Sequence, residues 1–363
     1  MTRYLDSTLH AIFRKAKITN RFGLSSVLSV AKRGVFLPAA LMLFSLNPVP
    51  LHAQSDERWS RGNRVVGSGE WYLRTEDKAA ELYVREVGQG DPVIVLHGGW
   101  GAEHSYLLNA IKGLETQFRF IFYDQRGSLR SPCKLEFISQ EKHVQDLETL
   151  RKELKLEKVT IVAHSMGTRL AMFYLQKYPD RVKTLVLVGA LPAQSGSSLP
   201  ASLQSAQKEA NEAFRRFVER PEVKAAYKKA GYDEENKSAK VMMELWRISF
   251  SAGNLYDLKR SKEVTANHRF WNEEAANATV KTVPRDNDFV SLLARHPYPV
   301  TVINGDHDLA EFGNWYYSSK EFREAVPNVE VVILKNAGHI MWIDDPIGFR
   351  KALMNGLRNQ GDK

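Results

Sequence analysis

The chain has 363 residues, 43% hydrophobic and 26% charged, a balance that suits a globular protein and argues against a disordered or fibrous one. Its single cysteine, Cys133, excludes an internal disulfide framework and any multi-cysteine metal site. The formal net charge is +9, but residues 1–33 hold seven Lys and Arg against one acid and carry +6 of it. About +3 remains for the rest, which gives no electrostatic argument for a nucleic-acid partner.

Residues 1–53 read as a signal peptide with a long basic leader. Lys32 and Arg33 precede an apolar run from Val35 to Leu46, broken by Pro38 and followed by Leu51-His52-Ala53. A positive flank, a short apolar core and a small residue at the end mark a secretory signal, with cleavage expected after Ala53. The run is too short and too proline-broken to span a bilayer comfortably, so no stable membrane insertion is expected after cleavage. An exported protein without disulfides suits a bacterial periplasm or exterior.

From Trp71 the pattern is β. Trp71–Arg74 and Leu82–Arg85 alternate, which predicts an antiparallel pair at a sheet edge. Continuous apolar runs follow at Val93–Leu96, Phe120–Tyr123, Thr160–Ala163, Leu185–Val188, Val300–Ile303 and Val331–Leu334. Strands buried on both faces look like this. Helical patterns lie between most of them. Ser139 is placed to cap a helix carrying Val144, Leu147, Leu150 and Leu154; another lies around Trp315–Val326, and a last one spans Ile347–Leu357. The alternation predicts an α/β fold with a mostly parallel, doubly wound sheet.

Residues 193–297 break the rhythm. They lack a strong buried-strand run and show helical spacing at Phe214-Phe217 and Leu245-Trp246-Ser249-Phe250. A structureless loop of that length is implausible, so an inserted helical cap is expected, entered through a flexible hinge at Ser195–Ser198. The core then consists of residues 54–192 and 298–363.

The stretch Val159 to Thr168 organises the chemistry. A β-branched run ends in Ala163-His164-Ser165-Met166-Gly167, and a helical pattern follows. This is the layout of a nucleophile elbow, a strand and a helix joined by a sharp turn that exposes a serine. An activated serine needs a base, and the base needs an orienting acid. Both must come from the carboxyl edge of the sheet. After Val300–Ile303 come Asp306, His307 and Asp308; Asp308 is the preferred acid and Asp306 the second choice. After Val331–Leu334 comes His339, the candidate base. The order serine, acid, histidine suits this sheet. His97-Gly98-Gly99-Trp100-Gly101 follows the strand at Val93 and is the candidate oxyanion turn, with donors expected from the N–H groups of Met166 and of Gly99 or Trp100. No histidine pair at metal spacing accompanies Asp306-His307-Asp308, so no metal is expected. The chemistry implies no cofactor.

With these residues in place, the chain resembles the α/β-hydrolase fold and, within it, the proline iminopeptidase group of serine peptidases, over roughly residues 82–357. Asp124-Gln125-Arg126-Gly127-Ser128-Leu129-Arg130-Ser131 is close to that group's Asp-Gln-Arg-Gly-Ser-Gly-Arg-Ser signature, and His97-Gly98-Gly99-Trp100-Gly101 parallels its His-Gly-Gly-Pro-Gly. The resemblance implies Ser165 as nucleophile, Asp308 as acid, His339 as base and a helical cap over the site. It also implies acidic cap residues that bind the free amino end of a peptide. The elbow departs from the group's Gly-Gly-Ser-Trp-Gly and looks more like that of general esterases.

The expected function is therefore that of a serine hydrolase, an aminopeptidase of proline iminopeptidase type acting on short peptides. The alternative is an ester or amide hydrolase acting on small apolar acyl groups. Trp100, Glu244 and Trp246 are the candidate substrate-binding residues. For Glu244 the competing reading is an i,i+3 ion pair with Arg247. For Trp246, with Phe250, Tyr256 and Trp271, it is cap core. The expected partner is a small molecule or short peptide, with no nucleic acid.

Overall fold

A computed structural model describes residues 64–67, 69–198, 201–264, 271–296, 298–308, 323, 325, 326 and 328–359. The expected leader, residues 1–53, and nearly all of the helix expected around Trp315–Val326 lie outside these residues. Among the described residues, no helix is long and apolar enough to cross a membrane.

The described strands are β1 (Arg64–Gly67), β2 (Glu70–Arg74), β3 (Glu81–Gly88), β4 (Asp91–Leu96), β5 (Phe118–Tyr123), β6 (Val159–His164), β7 (Val182–Val188), β8 (Gln194–Ser195), β9 (Asn287–Asp288), β10 (Val300–Gly305) and β11 (Val329–Leu334). All but β8 and β9 form one sheet in the order β1-β2-β3-β5-β4-β6-β7-β10-β11. The pairs β1–β2, β2–β3 and β3–β5 are antiparallel; the rest of the sheet is parallel. The alternating pair pairs as expected, with Trp71 opposite Val84 and Leu73 opposite Leu82. The sheet edge lies one strand further out, because β1 adds itself to β2. Its four residues, Arg-Val-Val-Gly, are too few to display a period of two.

The α-helices among the described residues are α1 (Gln140–Glu153), α2 (Met166–Lys177), α3 (Ala201–Val218), α4 (Pro221–Lys229), α5 (Ala239–Asn254), α6 (Glu273–Thr282), α7 (Phe289–Arg295), α8 (Met341–Asp344) and α9 (Pro346–Arg358). Ser139 caps α1 by accepting the Lys142 N–H, and Val144, Leu147 and Leu150 point inward. Apolar packing covers both sheet faces. Ile94, Leu96, Ile121 and Ala163 join one core with Leu147 and Leu170, while Val93, Val95, Phe120 and Phe122 join the other with Phe349 and Leu353. A parallel sheet clad on both sides buries both faces of its strands, which is why β6 is buried throughout and mostly apolar.

The inserted segment is helical, as expected, but its base is not a flexible hinge. β8 and β9 pair antiparallel, Gln194 opposite Asp288 and Ser195 opposite Asn287, and clasp the two ends together. Ser195 Oγ donates to the Arg285 carbonyl, and Asp286 accepts the Ser197 N–H. Packing of the main core also resumes before residue 297. Phe289, Leu292 and Leu293 on α7 are buried in it, and Phe289 meets the Phe173 ring edge-on at 5.2 Å.

Candidate active site

Ser165 joins β6 to α2 with φ 53° and ψ −124°. A side chain rarely adopts that backbone, and the neighbouring contacts must hold it there. The Ser165 N–H donates to the Val188 carbonyl at 3.0 Å, and its carbonyl accepts Thr168 N–H at 2.9 Å and Thr168 Oγ1–H at 2.6 Å. The small residue at 167 has a steric cause. A Cβ on Gly167 would lie 2.6 Å from the Leu96 carbonyl oxygen and 2.8 Å from that of His97. Ala163, two residues before the serine, is fully buried opposite Leu96.

The turn after β10 and the loop after β11 carry the candidate acid and the candidate base. Asp308 is buried, and its carboxylate oxygens lie 2.9 and 3.0 Å from His339 Nδ1. A carboxylate only accepts, so Nδ1 carries the proton and, in the neutral ring, Nε2 carries the lone pair. Asp306 points elsewhere. It accepts from His307 Nδ1 at 2.7 Å and from the Ala337 N–H at 3.3 Å, with Lys335 Nζ at 3.7 Å. Of the two candidate acids, Asp308 is the one that reaches His339. Gly189, which the sequence reading passed over, makes room for this pair. It sits at φ 53°, and a Cβ there would lie 2.8 Å from His339 Nδ1 and 3.2 Å from Asp308 Oδ2.

The glycine turn follows β4 on the same edge. Gly99 has φ 69°. His97 Nδ1–H donates to the Gly98 carbonyl at 3.1 Å, while His97 Nε2 accepts the Gln125 N–H at 3.1 Å. Complete burial lowers the His97 pKa, so the ring keeps the neutral tautomer that these two bonds require. The Gln125 side chain returns a bond to the His97 carbonyl at 3.0 Å. Met166 is the first residue of α2, where an N–H has no intrahelical acceptor and faces the positive end of the helix dipole.

Most of the Asp124-to-Ser131 motif is buried structure. Asp124 accepts from His104 N at 3.1 Å and lies 2.6 Å from His104 Nδ1. Arg126 holds Asp146 with two bonds of 2.7 and 2.6 Å and reaches Asp77 at 3.1 Å. Ser131 Oγ donates to the Asp124 carbonyl and accepts the Tyr83 N–H. Arg126→Met should therefore cost about 3–5 kcal/mol, because it strands buried carboxylate charge; denaturant unfolding measures it. Burial works against the Asp77 charge, but bonds from Arg126 and Lys142 outweigh it and hold the carboxyl well below the usual range. A lowered folded-state pKa stabilises the fold above the unfolded value and is lost as pH falls through the folded one. Unfolding free energy should accordingly fall as the pH drops below about 4, and the Asp77→Asn variant should show a shallower acid slope.

Glu103, His104 and Asp124 are buried with potential ligand atoms within 4.8 Å of one another. Protein donors reach Glu103 and one Asp124 oxygen, whereas Asp124 Oδ2 and His104 Nε2 are buried without a hydrogen bond. Glu103 takes the Ser105 N–H and hydroxyl, and Arg130 Nη1 stands 3.4 Å from Glu103 and 3.7 Å from Asp124. The guanidinium supplies the positive charge that a cation would bring.

Two of the candidate substrate residues have other work. Trp100 was expected to face substrate; it is instead buried and stacked on His143 at 5.1 Å. An indole in a fixed turn is apolar bulk that this side of the sheet can bury. Glu244 is exposed and faces Arg247 at 3.5 Å, the i,i+3 pair that competed with substrate binding. The side chain of Trp246 lies outside the described residues.

Several hydrogen bonds seat the insertion on the site loops. Trp271 Nε1–H donates to the Trp100 carbonyl at 3.0 Å, and Asn272 N–H to that of Gly101 at 2.9 Å. The Asn272 side chain donates to the Gly127 carbonyl at 2.9 Å and caps α6 by accepting the Ala275 N–H. Asp344 accepts the N–H groups of Gly338, Tyr256 and Asp257, so it fastens the His339 loop to the end of the α5 segment. Asn272 before Glu273-Glu274 is a legible helix start, but its reach to two glycine loops has no local sequence signal.

The family profile described as "alpha/beta hydrolase fold" matches residues 91–346, more than half of the chain. The chain belongs to that family. It is thus a hydrolase by family, and it resembles the proline iminopeptidase group in particular. A proline iminopeptidase of Levilactobacillus brevis is 26% identical over 300 residues, which cover 77% of this chain and 94% of the relative. An AB hydrolase superfamily protein of Bacillus subtilis is 26% identical over 284 residues, covering 74% and 91%. Among solved alpha/beta hydrolase structures, a proline iminopeptidase-related protein of Thermus thermophilus superposes with a TM-score of 0.56 at 19% identity, covering 83% of this chain and 99% of that one. A thermophilic esterase of Thermogutta terrifontis gives 0.55 at 20%, covering 80% and 98%. These structural likenesses speak for the fold.

Proposed function

We propose that this alpha/beta hydrolase is a serine hydrolase that works through an acyl-enzyme. The observation that carries the reading is the strained Ser165 turn, bonded to Val188, together with a buried His339–Asp308 pair packed against the adjoining Gly189. In this scheme Ser165 Oγ attacks a substrate carbonyl and His339 Nε2 takes its proton. The N–H groups of Met166 and Gly99 hold the oxyanion. The leaving amine or alcohol takes the proton back from His339, and water then repeats the sequence to free the acid and restore the serine. Asp308 fixes the tautomer and stabilises the imidazolium.

The substrate class we propose is short peptides with a free amino terminus. The supporting observation is the likeness to proline iminopeptidases, which spans nearly all of the Levilactobacillus brevis relative. An ester or amide hydrolase on small apolar acyl groups is the second reading. It is favoured by the Ala-His-Ser-Met-Gly elbow and by the engagement of Glu244 with Arg247. The test compares prolyl- and alanyl-arylamides, free and amino-blocked, with short p-nitrophenyl esters, using Ser165→Ala as control. Preference for the free-amine arylamides, lost on blocking, supports the peptidase. Turnover of esters alone supports the second reading.

A further inference from the structure

His164 immediately precedes the candidate nucleophile, yet the acyl-transfer scheme gives it no task. It is buried, and both of its ring nitrogens are engaged. His164 Nε2 lies 3.1 Å from the His339 carbonyl oxygen, and His164 Nδ1 lies 2.7 Å from Tyr106 Oη. Tyr106 Oη in turn accepts the Gly98 N–H at 2.7 Å. Only one assignment of protons satisfies this chain. A carbonyl cannot donate, so His164 Nε2 bears the hydrogen. The ring is neutral, because complete burial, reinforced by the neighbouring His339, lowers its pKa well below the ordinary value. His164 Nδ1 is therefore an acceptor and takes the tyrosine proton, which leaves Tyr106 Oη as the acceptor for Gly98. Every bond runs one way: Gly98 N–H to Tyr106, Tyr106 O–H to His164, His164 N–H to the His339 backbone.

Three loops meet in this chain: the glycine turn, the elbow and the loop of the base. Their geometry is tight. The rings of His164 and His339 stand 4.5 Å apart, and Trp342 closes on His164 edge-on at 5.0 Å. A Cβ added to Gly98 would fall 2.6 Å from Ser165 Cβ.

We infer that Tyr106 and His164 are positioning residues, whose one-way hydrogen-bond chain fixes the spacing between the oxyanion turn and His339 on either side of Ser165. The chain also commits the Gly98 N–H to Tyr106, which leaves the donor from this turn to a later residue. Neither side chain takes part in proton transfer to substrate. The inference rests on the Ser165–Asp308–His339 reading, so the experiment separates the two.

Labelling with a fluorophosphonate probe tests the triad reading. Wild type should be labelled and Ser165→Ala should not; no labelling of wild type removes that reading whatever Tyr106 does. Steady-state kinetics on the best substrate, normalised to the labelled fraction, then test the positioning role. Tyr106→Phe keeps the ring and deletes the one oxygen. It should lower kcat per labelled site by about 10- to 100-fold, the scale set by a small misplacement of reacting groups, with KM changed less than about threefold. His164→Leu should behave alike, and His164→Gln, which can still donate to the His339 carbonyl, should lose less than His164→Leu. A merely structural role would lower the melting temperature and the labelled fraction and leave kcat per labelled site at the wild-type value. That result, in Tyr106→Phe or in His164→Leu if the former does not fold, overturns the inference.

Discussion

Ser165→Ala should lower kcat by about 10⁴ to 10⁶ and leave the fold intact. The expectation of an intact fold comes from the local geometry. The Ser165 side chain caps no helix hydrogen bond, and the turn is held by backbone contacts to Val188 and Thr168. Alanine at φ 53° keeps a Cβ of the same size, so the strain of the elbow is unchanged. The loss should appear in kcat, with KM for the substrate close to wild type, because the N–H groups proposed to hold the oxyanion are backbone groups that the substitution leaves in place. Steady-state kinetics with circular dichroism on the same preparation measures both halves. Turnover near wild type would take the nucleophile away from Ser165 and leave the elbow as an ordinary strand-to-helix turn.

The second large effect is expected for Asp308→Asn, about 10⁴ in kcat. The volume hardly changes, so the cause is the proton. An asparagine amide presented to His339 Nδ1 donates where the carboxylate accepted, which favours the tautomer with its hydrogen on Nε2. Nε2, the atom proposed to take the Ser165 proton, then carries a hydrogen in place of its lone pair. Positive charge arising on the ring during attack also loses its buried counter-charge. Kinetics at neutral pH checks the prediction. A loss smaller than about tenfold would remove Asp308 from the orienting role, and Asp306 offers no substitute while it binds His307 and the Ala337 N–H.

Much of this was legible in the sequence, for identifiable reasons. Parallel strands clad on both faces are mostly apolar, so β4, β5, β6, β7 and β10 stand out in the sequence as near-continuous apolar runs. Ser165, Asp308 and His339 stand out as candidates because each follows an apolar strand and the sheet fixes which strand ends meet, and the structure places Asp308 against His339. The sequence already ranks Asp308 above Asp306, but two acids two residues apart differ only in the direction of a turn, and the contact with His339 is what separates them. Trp100 misled because an aromatic residue in a glycine turn reads equally as a substrate wall and as core. The clasp of β8 and β9 was missed because two-residue strands have no period, and Gly189 because its meaning is the space it leaves for a residue far along the chain.

The most specific stretch of resemblance proved to lie beneath the site. Gln125 steadies His97, Asp124 pairs with His104, and Arg126 gathers Asp77 and Asp146. Such residues mark ancestry well because a buried network fails when one member changes. For the same reason they say little about the substrate.

Asn272 has a consequence for protein engineering. Lid exchange between related enzymes treats the insertion as a cassette, joined at its two ends. Here the donor lid would also have to bring an asparagine that meets the carbonyls of Gly101 and Gly127 from inside the transplanted piece. Splicing at the β8–β9 clasp alone would deliver a lid with its floor unattached. Recombination that respects this chain should therefore carry the two glycine loops and the α6 entrance together, as a single discontinuous module.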